Sequence, residues 1–199
     1  MTSAGSLHYR TAARVLLGGG IGAGKSAVAV IFERAGFLVI EADEIGRSLL
    51  AAGTPEAAAV QELWPSVVAE GVVDRAALAT IVFGDASELR KLEAVTHPAI
   101  AAEIERRVAK TEKDVVVEAP LAHLEISGEW TRVAVVADSR ERLARAVARG
   151  GDPDDVKRRM KSQMSTAEWM SWADVVIDNN GSWAETEAHV AAVIDERRG

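Results

Sequence analysis

The stretch Gly19-Gly20-Ile21-Gly22-Ala23-Gly24-Lys25-Ser26 decides the fold of this chain, because it matches the pattern G-x-x-x-x-G-K-[ST]. The apolar run at residues 15–17 predicts a buried strand before it, and the apolar positions within residues 28–35 fall on one face of a helix after it. Glycines allow consecutive backbone N–H groups to turn inward around a phosphate, and the helix start adds its dipole and free N–H groups. We therefore interpret the stretch as a phosphate loop between a strand and a helix, rather than as a chance glycine-rich turn.

Two side chains of the phosphate loop (residues 19–26) are predicted to have separate tasks. Lys25 should reach the β- and γ-phosphates of a nucleotide, and the Ser26 hydroxyl should bind Mg²⁺. The predicted cofactors are therefore ATP and Mg²⁺. The residues expected to hold the nucleotide are Gly19, Gly20, Ile21, Gly22, Ala23, Gly24, Lys25, Ser26 and Ala27.

Composition excludes several classes of protein. The chain has 199 residues, enough for one α/β domain with a modest insertion, and it has no cysteine for disulfides or thiolate metal sites. Its formal net charge of −7 argues against nucleic acid as the main partner, because binding to a phosphate backbone needs a basic surface. No apolar run approaches the ~20 residues of a membrane span, and residues 1–14 lack the apolar centre of a signal peptide. We expect a cytoplasmic protein, a monomer or weak homo-oligomer, with residues 1–14 as a flexible extension.

Five short apolar runs, mostly of β-branched residues, predict the strands of a parallel sheet that is covered on both faces. They lie at residues 15–17, 37–40, 115–117, 133–136 and 175–177. Helical patterns follow these runs, so the predicted class is α/β, with a doubly wound, five-stranded parallel sheet of the type found in phosphate-loop NTPases. We expect one domain over residues 15–199, with its core in residues 15–50 and 113–199.

Residues 51–112 carry no strand signal and predict a helical insertion. Helical periodicity covers residues 55–64, 75–83, 86–95 and 98–110. Asp74 is a candidate N-cap, and Pro98 suits the first turn of a helix of its own. A small kinase uses such an insertion to hold its acceptor, although a purely structural excursion is the alternative.

Two carboxylates, Glu41 and Asp43, follow the second predicted strand. Ligands of open α/β sheets bind outside the carboxyl ends of the strands. A carboxylate there can accept the proton of an alcohol acceptor or help to hold Mg²⁺ during phosphoryl transfer. In the alternative interpretation, Asp43 only caps a helix that begins at Glu44.

Residues 140–159 contain six arginines, of which Arg142, Arg145 and Arg149 share one helical face. Gly150 and Gly151 should break this helix before a second one that begins near Pro153. Residues 140–165 therefore predict a small helical lid that closes over ATP and neutralises charge. A solvated, charged helix face is the alternative.

Three further positions are candidates for ligand contacts. His97 lies in the insertion and is either an acceptor contact or structural. His123 and Glu125 follow the third long strand and either line the acceptor pocket or cap a helix. Asn179 belongs to a turn signal after the last strand, at a place where adenine often rests in this architecture.

In combination these motifs resemble one family, the dephospho-coenzyme A kinases. The resemblance runs from about Val15 to the C-terminus. The matching segments are residues 19–26, Glu41-Ala42-Asp43, Asp74-Arg75-Ala76-Ala77-Leu78, His97-Pro98, Arg145 with Arg149, and residues 173–181.

The resemblance implies an ATP-dependent kinase that phosphorylates the ribose 3′-hydroxyl of dephospho-coenzyme A, the last step of coenzyme A synthesis. Asp43 would be the base, Lys25 would hold ATP and Ser26 would hold Mg²⁺. Arg145 and Arg149 would stabilise the transferring phosphoryl group, and the acceptor would contact Asp43, His97 and Glu125. Two alternatives remain: another small-metabolite or nucleoside kinase on the same scaffold, and a catalytically impaired paralogue that binds nucleotide.

Overall fold

The computed structural model describes residues 12–119 and 124–198. Most of residues 1–14, which were predicted to form a flexible extension, lie outside these ranges, and so does His123. The strands are β1 (Arg14–Gly18), β2 (Leu38–Glu41), β3 (Val68–Ala69), β4 (Val72–Val73), β5 (Val115–Glu118), β6 (Thr131–Val136) and β7 (Val175–Asp178). The helices are α1 (Lys25–Arg34), α2 (Ala42–Leu49), α3 (Pro55–Leu63), α4 (Arg75–Val82), α5 (Ala86–Val108), α6 (Ser139–Ala148), α7 (Pro153–Ser162), α8 (Thr166–Trp172) and α9 (Trp183–Arg198).

Five of these strands form one parallel sheet in the order β2-β5-β1-β6-β7. The predicted fold class and all five predicted long strands are confirmed, with small differences at the strand ends. The sheet register places Glu118 directly opposite Leu17 on one side and opposite Glu41 on the other. The carboxyl ends of β1, β2 and β5 therefore meet at one edge, where the chain of β1 continues into the phosphate loop.

Helices cover both faces of the sheet, which explains why the strands are apolar without alternation. On one face, α1 and α9 pack on the sheet through Phe32 and Val190, which are fully buried. On the other face, α2 and α5 contribute the fully buried Ile45 and Ile104. In residues 119 and 124–130, which connect β5 to β6, no helix forms.

The prediction that residues 51–112 contain no strand is wrong, because β3 and β4 form a short antiparallel hairpin there. Its two-residue turn has positive φ angles of 51° at Glu70 and 76° at Gly71, as in the turns that favour tight hairpins. The buried Val67 and Val73 fix this hairpin onto the cluster formed by α3 and α4. The rest of the insertion is helical, and Asp74 caps α4 as predicted by accepting hydrogen bonds from the N–H groups of residues 76 and 77.

The prediction of two helices divided at Pro98 is also wrong, because α5 runs through Pro98 without a break. Leu92, Thr96, Ile100 and Ile104 follow one another at intervals of four residues and form a continuous inner face. Burial of this face stabilises the helix across the position where proline removes a backbone hydrogen bond. In the described residues, none of the helices is long and apolar enough to cross a membrane.

Candidate active site

The phosphate loop forms a tight turn between β1 and α1. The N–H of Ala23 donates to the carbonyl of Gly20 at 3.1 Å, and Gly24 ends the loop with a φ of 105°. A side chain at Gly24 would be strained by this angle and would also collide with the amide of Asn179. The loop conformation therefore depends on glycine at this position.

The first turn of α1 is open to a ligand. Thr54 and Asp74 cap the helices that follow them, whereas Gly24 precedes α1 without a side-chain cap. Among the described residues, no side chain caps the N–H groups at the start of α1, and the helix dipole favours negative charge there. This arrangement is suited to a phosphate group.

Lys25 is the first residue of α1 and lines a cavity of about 410 Å³, which we call the Lys25 cavity. Asp43, from the first turn of α2, and His97, from α5, line the same cavity. Burial lowers the pKa of Lys25, and the nearby Glu118 and Asp43 oppose this effect. Asp43, the predicted base, and His97, a predicted acceptor contact, therefore line the same cavity as Lys25.

The interpretation of Asp43 as a helix cap is wrong. The helix begins at Ala42 rather than Glu44, and the flanking position is Glu41, whose side chain makes no capping hydrogen bond. Asp43 is exposed within the first helical turn, so its carboxylate is available to a ligand in the Lys25 cavity.

Glu118 is a site residue that the sequence analysis missed. Its Oε1 accepts a hydrogen bond of 2.9 Å from the Ser26 hydroxyl. Burial raises the pKa of Glu118, while Ser26 and Lys25 lower it and Glu41 and Asp43 raise it further. The available signal was its position directly after an apolar strand, the same signal that identified Asp43.

The arginine face of α6 contacts the phosphate loop, which contradicts a purely solvated face. Arg142 is 5% exposed, and its Nε donates to the carbonyl of Ile21 at 2.9 Å. Arg145 donates to the carbonyl of Asn179 at 2.9 Å. One buried nitrogen of each guanidinium has no hydrogen-bond partner among the described residues. Arg149 follows at the end of α6 and is exposed beside Gly150, whose φ is 91°.

Residues 140–165, predicted to form a lid, contain part of α6 and the whole of α7, with Asp152 capping α7 before Pro153, and their role as a lid stays a prediction. Two contacts connect the distal part of this segment to the rest of the site. Gln163 accepts a hydrogen bond of 2.8 Å from the N–H of Ile21, and the Arg159 guanidinium lies 5.8 Å from the centre of the Phe83 ring. These contacts bring α7 over the Lys25 cavity, to which Phe83, Arg159 and Gln163 all contribute.

The side chain of Asn179 connects the phosphate loop to helix α9 through hydrogen bonds. Its amide nitrogen donates to the carbonyl of Ala23 at 2.8 Å, and its amide oxygen accepts from the Thr186 hydroxyl at 3.0 Å. It also lines a second cavity, of about 480 Å³, which contains Gly22, Gly24 and Trp183 and which we call the Trp183 cavity. The side chain predicted to contact nucleotide therefore has a structural task as well.

Glu125 was predicted to contact the acceptor, but the structure does not place it with the other predicted site residues. It is exposed and is not among the described residues that line the Lys25 cavity or the Trp183 cavity. Its role as an acceptor contact stays a prediction.

Known proteins resemble this chain over nearly its whole length. The family model described as dephospho-CoA kinase matches residues 13–185. A dephospho-CoA kinase of Corynebacterium glutamicum is 38% identical over 192 residues, which covers 92% of this chain and 98% of the relative.

Solved structures agree with this result. The structure of TT1252 from Thermus thermophilus is 29% identical with a TM-score of 0.76, and it covers 94% of this chain and 100% of its own. A dephospho-CoA kinase from Campylobacter jejuni is 25% identical with a TM-score of 0.65, covering 93% of this chain and 96% of its own. With its phosphate loop beside a five-stranded parallel sheet and this likeness over most of its length, the chain belongs to the dephospho-CoA kinase family.

Proposed function

We propose that this kinase transfers the γ-phosphoryl group of ATP to the ribose 3′-hydroxyl of dephospho-CoA, giving CoA and ADP. The observation that carries the proposal is the placement of Asp43 and Lys25 around one cavity, at the open start of α1. A carboxylate that accepts the hydroxyl proton and a cation that holds the transferring group are the two requirements of this reaction.

The phosphate loop and its arginines fit a triphosphate. The N–H groups at the start of α1 and Lys25 supply positive charge, Arg142 bonds to the carbonyl of Ile21 in the loop, and Arg145 lines the Trp183 cavity with Gly22 and Gly24. Hydrogen bonds from charged donors to anionic oxygens are stronger than those between neutral groups. The positive charge is thus concentrated locally in a chain whose net charge is −7.

The residues at the loop also fit Mg²⁺. The described residues contain no group of three or more His, Cys, Asp or Glu side chains around one metal position. Mg²⁺ in kinases needs few protein ligands, because nucleotide oxygens and water supply the rest. We assign Ser26 as the ligand, with the Glu118 carboxylate beside it to orient the Ser26 hydroxyl and add negative charge. When bound, the ion would neutralise charge on the phosphates.

The acceptor side follows from the same geometry. Asp43 accepts the proton of the 3′-hydroxyl while the hydroxyl oxygen forms a bond to the γ-phosphorus. The bond between the γ-phosphorus and the bridging oxygen breaks, and this oxygen leaves with ADP. His97, Thr96 and Trp169 line the surrounding space and limit the access of water. Catalysis would then consist mainly of positioning and electrostatic stabilisation.

An acceptor panel tests the proposal. ADP release is measured in a coupled assay with ATP alone and with dephospho-CoA, adenosine or gluconate added. We expect rapid release only with dephospho-CoA and none above background for Lys25→Ala, which should remain folded because Lys25 is not a core residue. Release that is equal with all acceptors, or unchanged in Lys25→Ala, would contradict the assignment.

A further inference from the structure

Trp183 is the only one of the five tryptophans, all within the described ranges, that belongs to none of the hydrophobic clusters. Trp64 and Trp169 are buried, and Trp130 and Trp172 pack against buried clusters. The side chain of Trp183 is 43% exposed. Its indole therefore contributes little to the core of the fold.

The position of Trp183 is fixed by the start of α9. Ser182 and Glu185 cap this helix reciprocally, since the N–H of Ser182 donates to the Glu185 carboxylate and the N–H of Glu185 donates to the Ser182 hydroxyl. The Thr186 hydroxyl, one turn further, bonds to Asn179 under the phosphate loop. The helix start that carries the indole is thus anchored to the loop.

The Trp183 cavity lies beside the phosphate loop and has an aromatic wall. It opens beside Gly22 and Gly24 of the phosphate loop, and its other walls include Ala148 and Arg149 at the end of α6. A planar indole next to a phosphate site offers a surface on which a nucleobase can stack.

Two polar side chains among the described residues of this cavity, Asn179 and Arg145, already bond to protein groups. The amide of Asn179 bonds to Ala23 and Thr186, and Arg145 donates to the carbonyl of Asn179. The remaining lining residues are glycine, alanine, Arg149 and Trp183 itself. Stacking recognises ring area and is tolerant of the pattern of donors and acceptors on the base.

We propose that Trp183 stacks on the base of the phosphoryl donor and sets donor selectivity by ring area, so that purines are preferred to pyrimidines while adenine and guanine bind alike. This inference rests on the proposed function, because it places the donor triphosphate on the phosphate loop. It adds a specificity residue to that site and implies that GTP is also a phosphoryl donor.

Binding measurements on the whole protein test the inference. Dissociation constants are determined by calorimetry for ATP, GTP, CTP and inorganic tripolyphosphate. The variants are Trp183→Ala, Trp183→Phe, which keeps a smaller ring, and Trp130→Phe as a control at the amino end of β6. Ala is a good helix former and Trp183 is exposed, so both Trp183 variants should fold; circular dichroism checks this.

We expect ATP and GTP to bind the wild-type protein within a few-fold of each other and CTP to bind more weakly. Trp183→Ala should weaken ATP and GTP on the order of tenfold or more and abolish the preference over CTP. Tripolyphosphate affinity should stay unchanged, Trp183→Phe should be intermediate, and Trp130→Phe should match the wild type.

Three results would overturn the inference alone. The first two are an unchanged ATP affinity in Trp183→Ala and a GTP affinity more than about a hundredfold below that of ATP in the wild type. The third is equal weakening of tripolyphosphate and ATP in Trp183→Ala, since the effect would then act on the loop. A wild-type protein that binds neither ATP nor tripolyphosphate would overturn the proposed function and this inference together.

Discussion

Asp43, the base of the proposed reaction, lies in the first turn of α2 and lines the Lys25 cavity. Asp43→Asn keeps the size of the side chain but removes the base. We expect ATP affinity to stay within a few-fold and kcat to fall on the order of 10²-fold or more. Single-turnover transfer to dephospho-CoA and calorimetry with ATP measure the two effects.

Glu44→Gln is the matched control for Asp43→Asn, because Glu44 is the next residue of the same helical turn and is exposed. Its transfer rate should equal that of the wild type. A wild-type rate in Asp43→Asn would show that another group accepts the proton, and Glu41→Gln would then be the next variant to measure.

Glu118 links the site to the pH dependence of stability. Burial raises the pKa of Glu118, so the folded chain retains a proton there over a pH interval in which the unfolded chain has lost it. Stability of the nucleotide-free protein is therefore reduced as the pH rises through this interval, which lies above the ordinary carboxyl pKa of 4.5.

Glu118→Gln removes this loss of stability. The Tm of the variant, relative to the wild type, should increase as the pH is raised from about 4 to 7. Its transfer rate should fall, because the carboxylate beside Ser26 is gone. Calorimetric Tm values without nucleotide check the first effect, and a Tm difference that stays constant or shrinks with rising pH would contradict it.

The arginines of helix α6 and of the residue that follows it differ in their contacts. Arg142 and Arg145 hold backbone carbonyls of the loop and of residue 179, whereas Arg149 is exposed at the end of the helix, beside Gly150. We therefore propose Arg149 as the member of this face that would contact the γ-phosphate if the two helices act as a lid.

Arg149→Ala should lower kcat while the dissociation constant of ATP changes by no more than a few-fold, because the contact forms in the transition state. Arg149→Lys should restore little, since lysine cannot form a bidentate contact. Arg140→Ala, on the same helix but away from both cavities, is the control. Wild-type transfer rates in both Arg149 variants would show that this arginine is an ordinary surface charge.

The elements differ in how far the sequence could predict them. The long strands and the phosphate loop were predictable, because apolar runs and glycine spacing are local properties. The hairpin at Glu70-Gly71 lacks the Asn-Gly or Asp-Gly turn that signals tight hairpins, and Pro98 suggested a helix end. The inner face of α5 overrides that local signal through tertiary packing.

Contacts between distant residues explain what the sequence could not predict of the site. Arg142 is 121 residues from the Ile21 carbonyl that it holds, and Glu118 is 92 residues from Ser26. The sequence placed Arg142 on the correct helix face, but only the packing of α6 against the loop distinguishes a loop contact from a solvated charge. Glu118 becomes part of the site because β5 lies between β1 and β2.

The molecule as a whole places a nucleotide-binding core and a helical insertion on two sides of one cavity. The core supplies Ile21 and Lys25 to this cavity, the insertion supplies His97, and Arg159 and Gln163 complete its walls. A phosphoryl donor on the loop and an alcohol in the Lys25 cavity would therefore meet at Asp43.

Identification of the reaction product tests whether this protein phosphorylates dephospho-CoA. The protein is incubated with ATP, Mg²⁺ and dephospho-CoA, and the products are identified by mass spectrometry and phosphorus NMR, with Lys25→Ala as the control. We expect equal amounts of ADP and of a product one phosphoryl group heavier than dephospho-CoA, with a new 3′-phosphomonoester. ADP formation that leaves dephospho-CoA unmodified, or a phosphate at another position, would contradict this expectation.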